Sequence, residues 1–163
     1  MPEIKSECIR VTAPDGHELE AFLAKPQGPL RGGLVIGQEM YGINDYIRSV
    51  CEYYAGEGYL TIAPALFDRM EPGLTLLYDE EGNKRGKEIT HGADHTLALR
   101  DLTAAADTVR HAGRVALLGY CYGGTLAWLA ACRDGFDTTI AYYGSDMCDF
   151  PELTRRIPIL CLV

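Results

Sequence analysis

The segment that most constrains the fold covers residues 115–131 and has the sequence VALLGYCYGGTLAWLAA. Its first four residues are a short apolar run of the kind that a strand buried on both faces of a parallel sheet requires. Its last seven residues are small and apolar enough for a helix that packs on that sheet. The segment between them, Gly119-Tyr120-Cys121-Tyr122-Gly123, predicts a tight turn from the strand into the helix.

Cys121 occupies the central position of this turn, in a G-x-nucleophile-x-G pattern. Flanking glycines permit a strained turn that leaves the central side chain exposed above the strand ends. A thiol at the start of a helix also feels the positive end of the helix dipole, which favours the reactive thiolate. We therefore interpret Cys121 as a candidate nucleophile. The alternative, a small hydrophobic core residue, does not require glycines on both sides.

Composition limits the partners of the chain. The 163 residues carry a formal net charge of -8, and no cluster of Lys and Arg is present that would bind nucleic acid. No apolar run approaches the ~20 residues of a membrane span. The six cysteines form no C-x-x-C pair, and no apolar N-terminal region precedes them. We expect a soluble, cytoplasmic protein with reduced thiols and a single domain spanning residues 1–163.

The order of apolar runs and turn residues predicts an α/β fold in which strands and helices alternate. The first two strands are expected to form a hairpin, and the segment 66–88 is expected to be a surface loop with one short helical turn. We predict strands at 7–11, 18–25, 34–37, 59–63, 115–118, 137–143 and 157–163, and helices at 43–56 with Asn44 as N-cap, at 90–112 and at 125–131.

Three charged or metal-binding candidates lie outside the cysteine turn. Glu39 follows the strand 34–37 and shares an edge of the sheet with Cys121 if the two strands are neighbours, although it is also explained as a solvated loop acid. Lys84 or Arg85 in the 66–88 loop could bind a substrate carboxylate, or be merely solvated. His91 and His95 have the spacing of metal ligands, but no Cys, Asp or Glu completes a site, so we expect no metal.

Four segments, VIGQEMYGIN, GYLTIAPALFDR, VALLGYCYGGTLAWLAA and IAYYG, resemble the dienelactone hydrolase family, which includes the carboxymethylenebutenolidases, in both order and spacing. The resemblance covers nearly the whole chain and the N-terminal two-thirds of the family pattern. It implies an α/β-hydrolase fold, with a mostly parallel sheet and helices on both faces. It also implies hydrolysis of a cyclic enol-lactone by a Cys-His-Asp triad with no metal or organic cofactor.

The same resemblance implies roles for individual residues. Cys121 matches the nucleophile, and Glu39 matches a carboxylate that interacts with the thiol and helps to set its ionisation. Arg85 matches an arginine that holds the substrate carboxylate, and Tyr41 is expected to contact substrate. Independently of the family, attack on a carbonyl develops an oxyanion, for which this fold offers the backbone N–H groups of Met40 and Tyr122.

The sequence departs from the family pattern after the nucleophile. The triad Asp and His should both follow Cys121, whereas no histidine follows His111. We therefore expect the C-terminal strands and helix of the fold to be absent from these residues. Three hypotheses follow: an incomplete version of a longer hydrolase, a short chain completed by another polypeptide or by self-association, and a non-catalytic binding domain. In each case the expected ligand is a small ester or lactone, and activity of these 163 residues alone is expected to be weak.

Overall fold

The computed structural model describes residues 4–162 and begins with a β-hairpin. Strands β1 (Lys5–Thr12) and β2 (Glu18–Lys25) pair antiparallel with Thr12 opposite Glu18. Gly16 supplies the turn between them with a φ of 85°, a conformation that favours glycine. The predicted hairpin is confirmed.

Five further strands extend the hairpin into one seven-stranded sheet with the order β1-β2-β4-β3-β5-β6-β7. The strands β3 to β7 pair parallel with one another. They span β3 Gly32–Gly37, β4 Tyr59–Pro64, β5 Val115–Tyr120, β6 Thr138–Tyr142 and β7 Ile159–Leu162. Each was predicted within a few residues, and Val163, the last residue of the predicted final strand, lies outside the described part of the chain.

Helices cover both faces of this sheet, as predicted for an α/β fold. Helix α1 (Asp45–Gly56) packs on the face that carries Leu34 and Ile36, and the side chain of Asn44 caps its first turn. Helices α3 (His95–Val109) and α4 (Tyr122–Ala131) pack on the opposite face, which carries Val35. Because β3 is buried on both faces, its apolar residues are continuous in sequence. Between residues 4 and 162, no helix is both long and apolar enough to cross a lipid bilayer.

The region from 66 to 112 differs from the prediction. Helix α2 occupies Glu80–Gly92, where a loop was expected, and α3 starts only at His95, so a single helix over 90–112 is wrong. Ala93 separates the two helices in an extended conformation with ψ 134°. The side chains of Asp79 and Asp94 cap the N-termini of α2 and α3. Each accepts a hydrogen bond of 2.7 Å, from the N–H of Gly82 and of Thr96 respectively.

The polar composition of α2 explains why its periodicity was not recognised. Three of its residues are buried, and two of these, Gly82 and Gly86, contribute no apolar side chain. The break between the two helices places His91 on α2 and His95 on α3, so these histidines are not one turn apart on the same helix.

A buried ion pair fixes the segment after β4 to α3. Arg69 contacts both carboxylate oxygens of Asp101 at 2.8 and 2.7 Å, and the Asp101 side chain is fully buried. Arg69 also bonds Asp15 in the hairpin turn, and this contact lowers the pKa of Asp15 to about 2. Three segments that are remote in sequence are thereby held together beneath the strand-end edge of the sheet.

Candidate active site

The carboxyl ends of β3 and β5 meet at one edge of the sheet. The two strands pair parallel, with Gly37 opposite Gly119. Glu39 and Cys121 each lie two residues beyond that pair, so the expectation that they share an edge is confirmed. This is the position at which open α/β sheets bind their ligands.

Cys121 has a strained backbone at the end of β5. Its φ of 52° and ψ of -113° lie outside the usual conformations of a residue with a side chain, and α4 begins at the next residue. Such a conformation costs on the order of 1–3 kcal/mol and persists only where the surroundings enforce it. Here a Cβ on Gly119 would lie 1.8 Å from the carbonyl oxygen of Gly123. The turn can therefore close only because residue 119 is a glycine. A Cβ on Gly123 would lie 2.3 Å from the Gly37 carbonyl oxygen, so the second glycine lets the turn approach β3.

Two backbone N–H groups act on the Cys121 thiol. They belong to Tyr122, the first residue of α4, and to Met40, on the loop after β3, and each lowers the pKa of the thiol. The sequence nominated the same two groups as donors to an oxyanion. The oxygen of a substrate carbonyl beside the sulfur would meet two N–H donors, which follow the ends of two different strands.

Burial outweighs these donors and raises the pKa of Cys121 above that of a free thiol. The negative charges of Glu39 and Asp146 raise it further. The N–H of Tyr122 at the start of α4 favours thiolate, whereas burial and the two carboxylates favour the protonated thiol. Removal of either nearby charge should lower the thiol pKa.

Glu39 is half-buried and held by two phenols. Tyr78 donates to its Oε2 at 2.8 Å and Tyr143 donates to its Oε1 at 3.3 Å. Burial and, after it, the hydrogen bond to Glu39 raise the pKa of Tyr78 to about 12. Tyr143, just after β6, adopts a positive φ of 39°, which is rare for a tyrosine. The carboxylate is thus fixed at the edge of the sheet.

A cavity of about 350 Å³ opens over Cys121. Helix α2 and the segment after β6 form two of its sides. The lining residues are Met40, Lys87, Thr90, His91, Cys121, Tyr122, Ser145 and Asp146. Its size suits a small molecule, and its walls combine cationic, anionic and hydroxyl groups around the thiol.

The two predicted substrate-binding residues lie apart from this lining. Arg85 forms ion pairs with Glu71 and with Glu88. Tyr41 is buried, donates to Asn83 Oδ1 at 2.8 Å and packs against the ring of Tyr78. Their contacts with substrate therefore stay predictions.

Sequence reasoning missed Lys87, His91 and Asp146 as cavity residues. The spacing of positions 87, 90 and 91 places them on one side of a helix, whereas the sequence predicts a surface loop up to residue 88. Asp146 follows β6 at the strand-end edge, a position that the topology favours for function. Within residues 4–162, no group of three or more His, Cys, Asp or Glu side chains is placed to hold a metal ion, and the six cysteines are free.

Comparison with known proteins agrees with this geometry. The family model of the dienelactone hydrolase family matches residues 19–159. The carboxymethylenebutenolidase of Pseudomonas putida is 33% identical over 144 residues, which cover 85% of this chain and 61% of that protein. Carboxymethylenebutenolidase 1 of Cupriavidus pinatubonensis is 32% identical and is matched over 62% of its length. The chain thus spans less than two-thirds of these relatives.

Solved structures show the same fold. The structure named m3DLH matches with a TM-score of 0.66 and 30% identity, over 86% of this chain and 60% of that one. A dienelactone hydrolase-like promiscuous phosphotriesterase from metagenomic libraries matches with a TM-score of 0.65 over 98% of this chain and 81% of that one, and its 17% identity supports the fold alone. The predicted α/β-hydrolase architecture is confirmed, and the chain belongs to the dienelactone hydrolase family.

Proposed function

We propose that this protein hydrolyses a small lactone or carboxylic ester with Cys121 as the nucleophile. The observation that carries the proposal is the strained position of Cys121 at the end of β5, where α4 begins and where the N–H groups of Tyr122 and Met40 act on its thiol. Two relatives named carboxymethylenebutenolidase support a lactone as the substrate. No organic cofactor or metal enters the proposed chemistry.

The reaction begins with attack of the Cys121 sulfur on the carbonyl carbon of the substrate. The thiol proton passes to the Glu39 carboxylate, whose charge already acts on the thiol. The carbonyl oxygen becomes an oxyanion and accepts hydrogen bonds from Met40 and Tyr122. Collapse of this intermediate breaks the ester C–O bond, and the leaving oxygen takes up the proton held by Glu39, which gives a thioester on Cys121, a free hydroxyl group and the Glu39 carboxylate.

Water then attacks the thioester and releases the carboxylic acid and the thiol. In the family pattern a His and an Asp after the nucleophile assist this step, and no histidine of the sequence follows His111. For these 163 residues by themselves, we therefore expect acylation to be faster than hydrolysis of the thioester. Catalysis without the complete triad typically falls by several orders of magnitude.

A panel of lactones and aryl esters tests the proposal. The protein and its Cys121→Ser variant would be compared for product release at equal concentration. We expect release by the unmodified protein and a loss of at least about 100-fold in the variant, because a hydroxyl is a much weaker nucleophile without a strong base. Equal rates for both proteins would refute the assignment of the nucleophile.

The alternative function is that of a non-catalytic or partner-completed domain. It is favoured by the position of the edge strand β7, where Leu160 is 55% exposed. We propose that this edge pairs with a completing C-terminal segment or with a second copy of the chain.

The proposed setting is the cytoplasm, with a small-molecule substrate and neither nucleic acid nor membrane as a partner.

A further inference from the structure

We infer that Lys87, together with His91, forms an anion-binding wall in the cavity over Cys121 and holds a carboxylate-type group of the substrate there. The inference deepens the proposed function and rests on it for the identity of the substrate. It assigns to Lys87 the specificity that the sequence pattern assigned to Arg85. Four observations carry it.

The first observation is the direction of the side chains on α2. Lys87, Thr90 and His91 are spaced i, i+3 and i+4, so they share one side of the helix, and all three line the cavity. Arg85 precedes Lys87 by two residues and is rotated from it by about 200° around the helix. It pairs instead with Glu71 and Glu88. Lys87 and Arg85 therefore cannot both face the cavity while α2 remains helical.

The second observation concerns which of these three side chains has hydrogen-bond donors that are not paired within the protein. The hydroxyl of Thr90 donates to the carbonyl oxygen of Gly86 on its own helix at 2.9 Å. The side chains of Lys87 and His91 form no hydrogen bond or ion pair with residues 4–162. An ammonium and an imidazole one helical turn apart are therefore available to one ligand.

The third observation is the close contact between α2 and the loop that carries Met40. A Cβ on Gly86 would lie 2.8 Å from the Met40 carbonyl oxygen and 2.9 Å from the Met40 Cγ. The absence of a side chain at Gly86 lets the helix rest directly on this loop. This backbone contact fixes the distance between the anion-binding wall on α2 and the backbone N–H of Met40.

The fourth observation is the charge on the remaining sides. Glu39 and Asp146 act on Cys121 as negative charges, and Asp146 lines the cavity. An anionic group is repelled from that side and attracted toward α2. A substrate with one negative group and one neutral carbonyl is consequently oriented with its anion at Lys87 and its carbonyl at the sulfur.

The test compares alkylation of Cys121 by iodoacetate, which is anionic, with alkylation by neutral iodoacetamide. The rate at the Cys121 peptide would be followed by mass spectrometry, since five other thiols compete. A change in the thiol pKa affects both reagents equally, so the ratio of the two rates reports the potential that an anion meets at the cavity. The measurement requires no catalytic turnover.

We expect Lys87→Gln to lower the iodoacetate-to-iodoacetamide ratio by about 3- to 10-fold, from the Coulomb energy of one charge at this range in a partly solvated site. Arg85→Gln removes the same charge from the opposite side of the same helix and should leave the ratio within about 2-fold. An unchanged ratio in Lys87→Gln, or an equal fall in Arg85→Gln, would overturn the inference.

A kinetic arm separates this inference from the proposed function. An ester that carries a free carboxylate would be compared with its neutral methyl ester analogue. Lys87→Gln should raise KM about 10-fold or more for the anionic ester and leave the neutral ester unchanged. Hydrolysis with an unaltered KM for the anionic ester would contradict the wall while supporting the hydrolase. A lowered alkylation ratio in a protein that cleaves neither ester would support the wall and refute the hydrolase.

Discussion

The backbone N–H of Gly123 donates to the carbonyl oxygen of Gln38 at 2.9 Å. This bond joins the first turn of α4 to the loop after β3, so the nucleophile and the Met40 donor are held in one rigid unit. Gln38 is itself fully buried, and its side-chain oxygen accepts from the N–H of Leu66 at 3.0 Å. Three successive strand ends are therefore connected around Cys121 by backbone groups and one buried amide.

Gly123→Ala should break this unit. A Cβ at position 123 would lie 2.3 Å from the Gly37 carbonyl oxygen, and the neighbour is backbone that cannot turn aside. We expect a loss of about 2 kcal/mol or more in the free energy of unfolding, measured by urea denaturation. Gly56→Ala is the control, because a Cβ there meets open space at the end of α1. Equal stability of the two variants would show that the close approach is not required.

Glu39→Gln should move the pH dependence of Cys121 alkylation to lower pH. The carboxylate raises the thiol pKa, so its removal lowers that pKa and increases the thiolate fraction at any pH below the midpoint. The expected result is therefore a profile displaced toward lower pH, because one of the charges that raise the thiol pKa has been removed. The profile would be measured by peptide mass spectrometry with iodoacetamide.

Glu57→Gln provides the matched control for this shift. Glu57 caps the C-terminal end of α1, two residues before β4 starts, and so lies at the opposite edge of the sheet from Cys121. Its substitution should leave the profile unchanged. A profile that Glu39→Gln also leaves unchanged would make Glu39 an ordinary solvated acid.

Asp101→Asn should be strongly destabilising. The variant leaves the Arg69 guanidinium without its fully buried partner, and loss of one member of a buried pair costs about 3 kcal/mol or more. Asp107→Asn on the same helix removes a carboxylate that is 64% exposed, and its effect should be within about 0.5 kcal/mol. Thermal unfolding of both variants decides the point, and a similar midpoint for the two would argue against a structural role for the Arg69 pair.

Leu160→Lys should reduce self-association. Leu160 is exposed on the edge strand β7, where a charged side chain opposes pairing with another strand. Leu77→Lys replaces a leucine that is 74% exposed on the segment before α2 and serves as the control. In sedimentation velocity we expect a smaller associated fraction for the first variant alone. Association that both variants retain would place the contact elsewhere.

The strands and the cysteine turn could be predicted because their residues are constrained locally. Apolar runs such as that of β5 indicate a strand buried on both faces. Glycines two residues before and two residues after Cys121, between a strand and a helix, are typical of a tight turn that presents a nucleophile. Glu39 could be placed near Cys121 because parallel strands end at one edge. The two backbone donors could be named from the strand-turn-helix geometry, whereas the roles of Arg85 and of Glu39 toward the thiol came from the family pattern.

Helix α2 and the walls of the cavity could not be predicted in the same way. The helix buries Gly82, Gly86 and Ile89, so its apolar side is too weak to reveal the period. Its position depends on contact between Gly86 and the Met40 backbone, which no local pattern records. The choice between Lys87 and Arg85 therefore required the tertiary structure.

The most direct test of the account is detection of an acyl group on Cys121. The protein would be mixed with an activated aryl ester, quenched in acid and digested, and each cysteine peptide would be examined for the added acyl mass. We predict a thioester on the Cys121 peptide that forms as the phenol is released, and that is absent in Cys121→Ser. Phenol release at the same rate with no acyl group on Cys121, or with the acyl group on another residue, would contradict the central claim that Cys121 is the nucleophile.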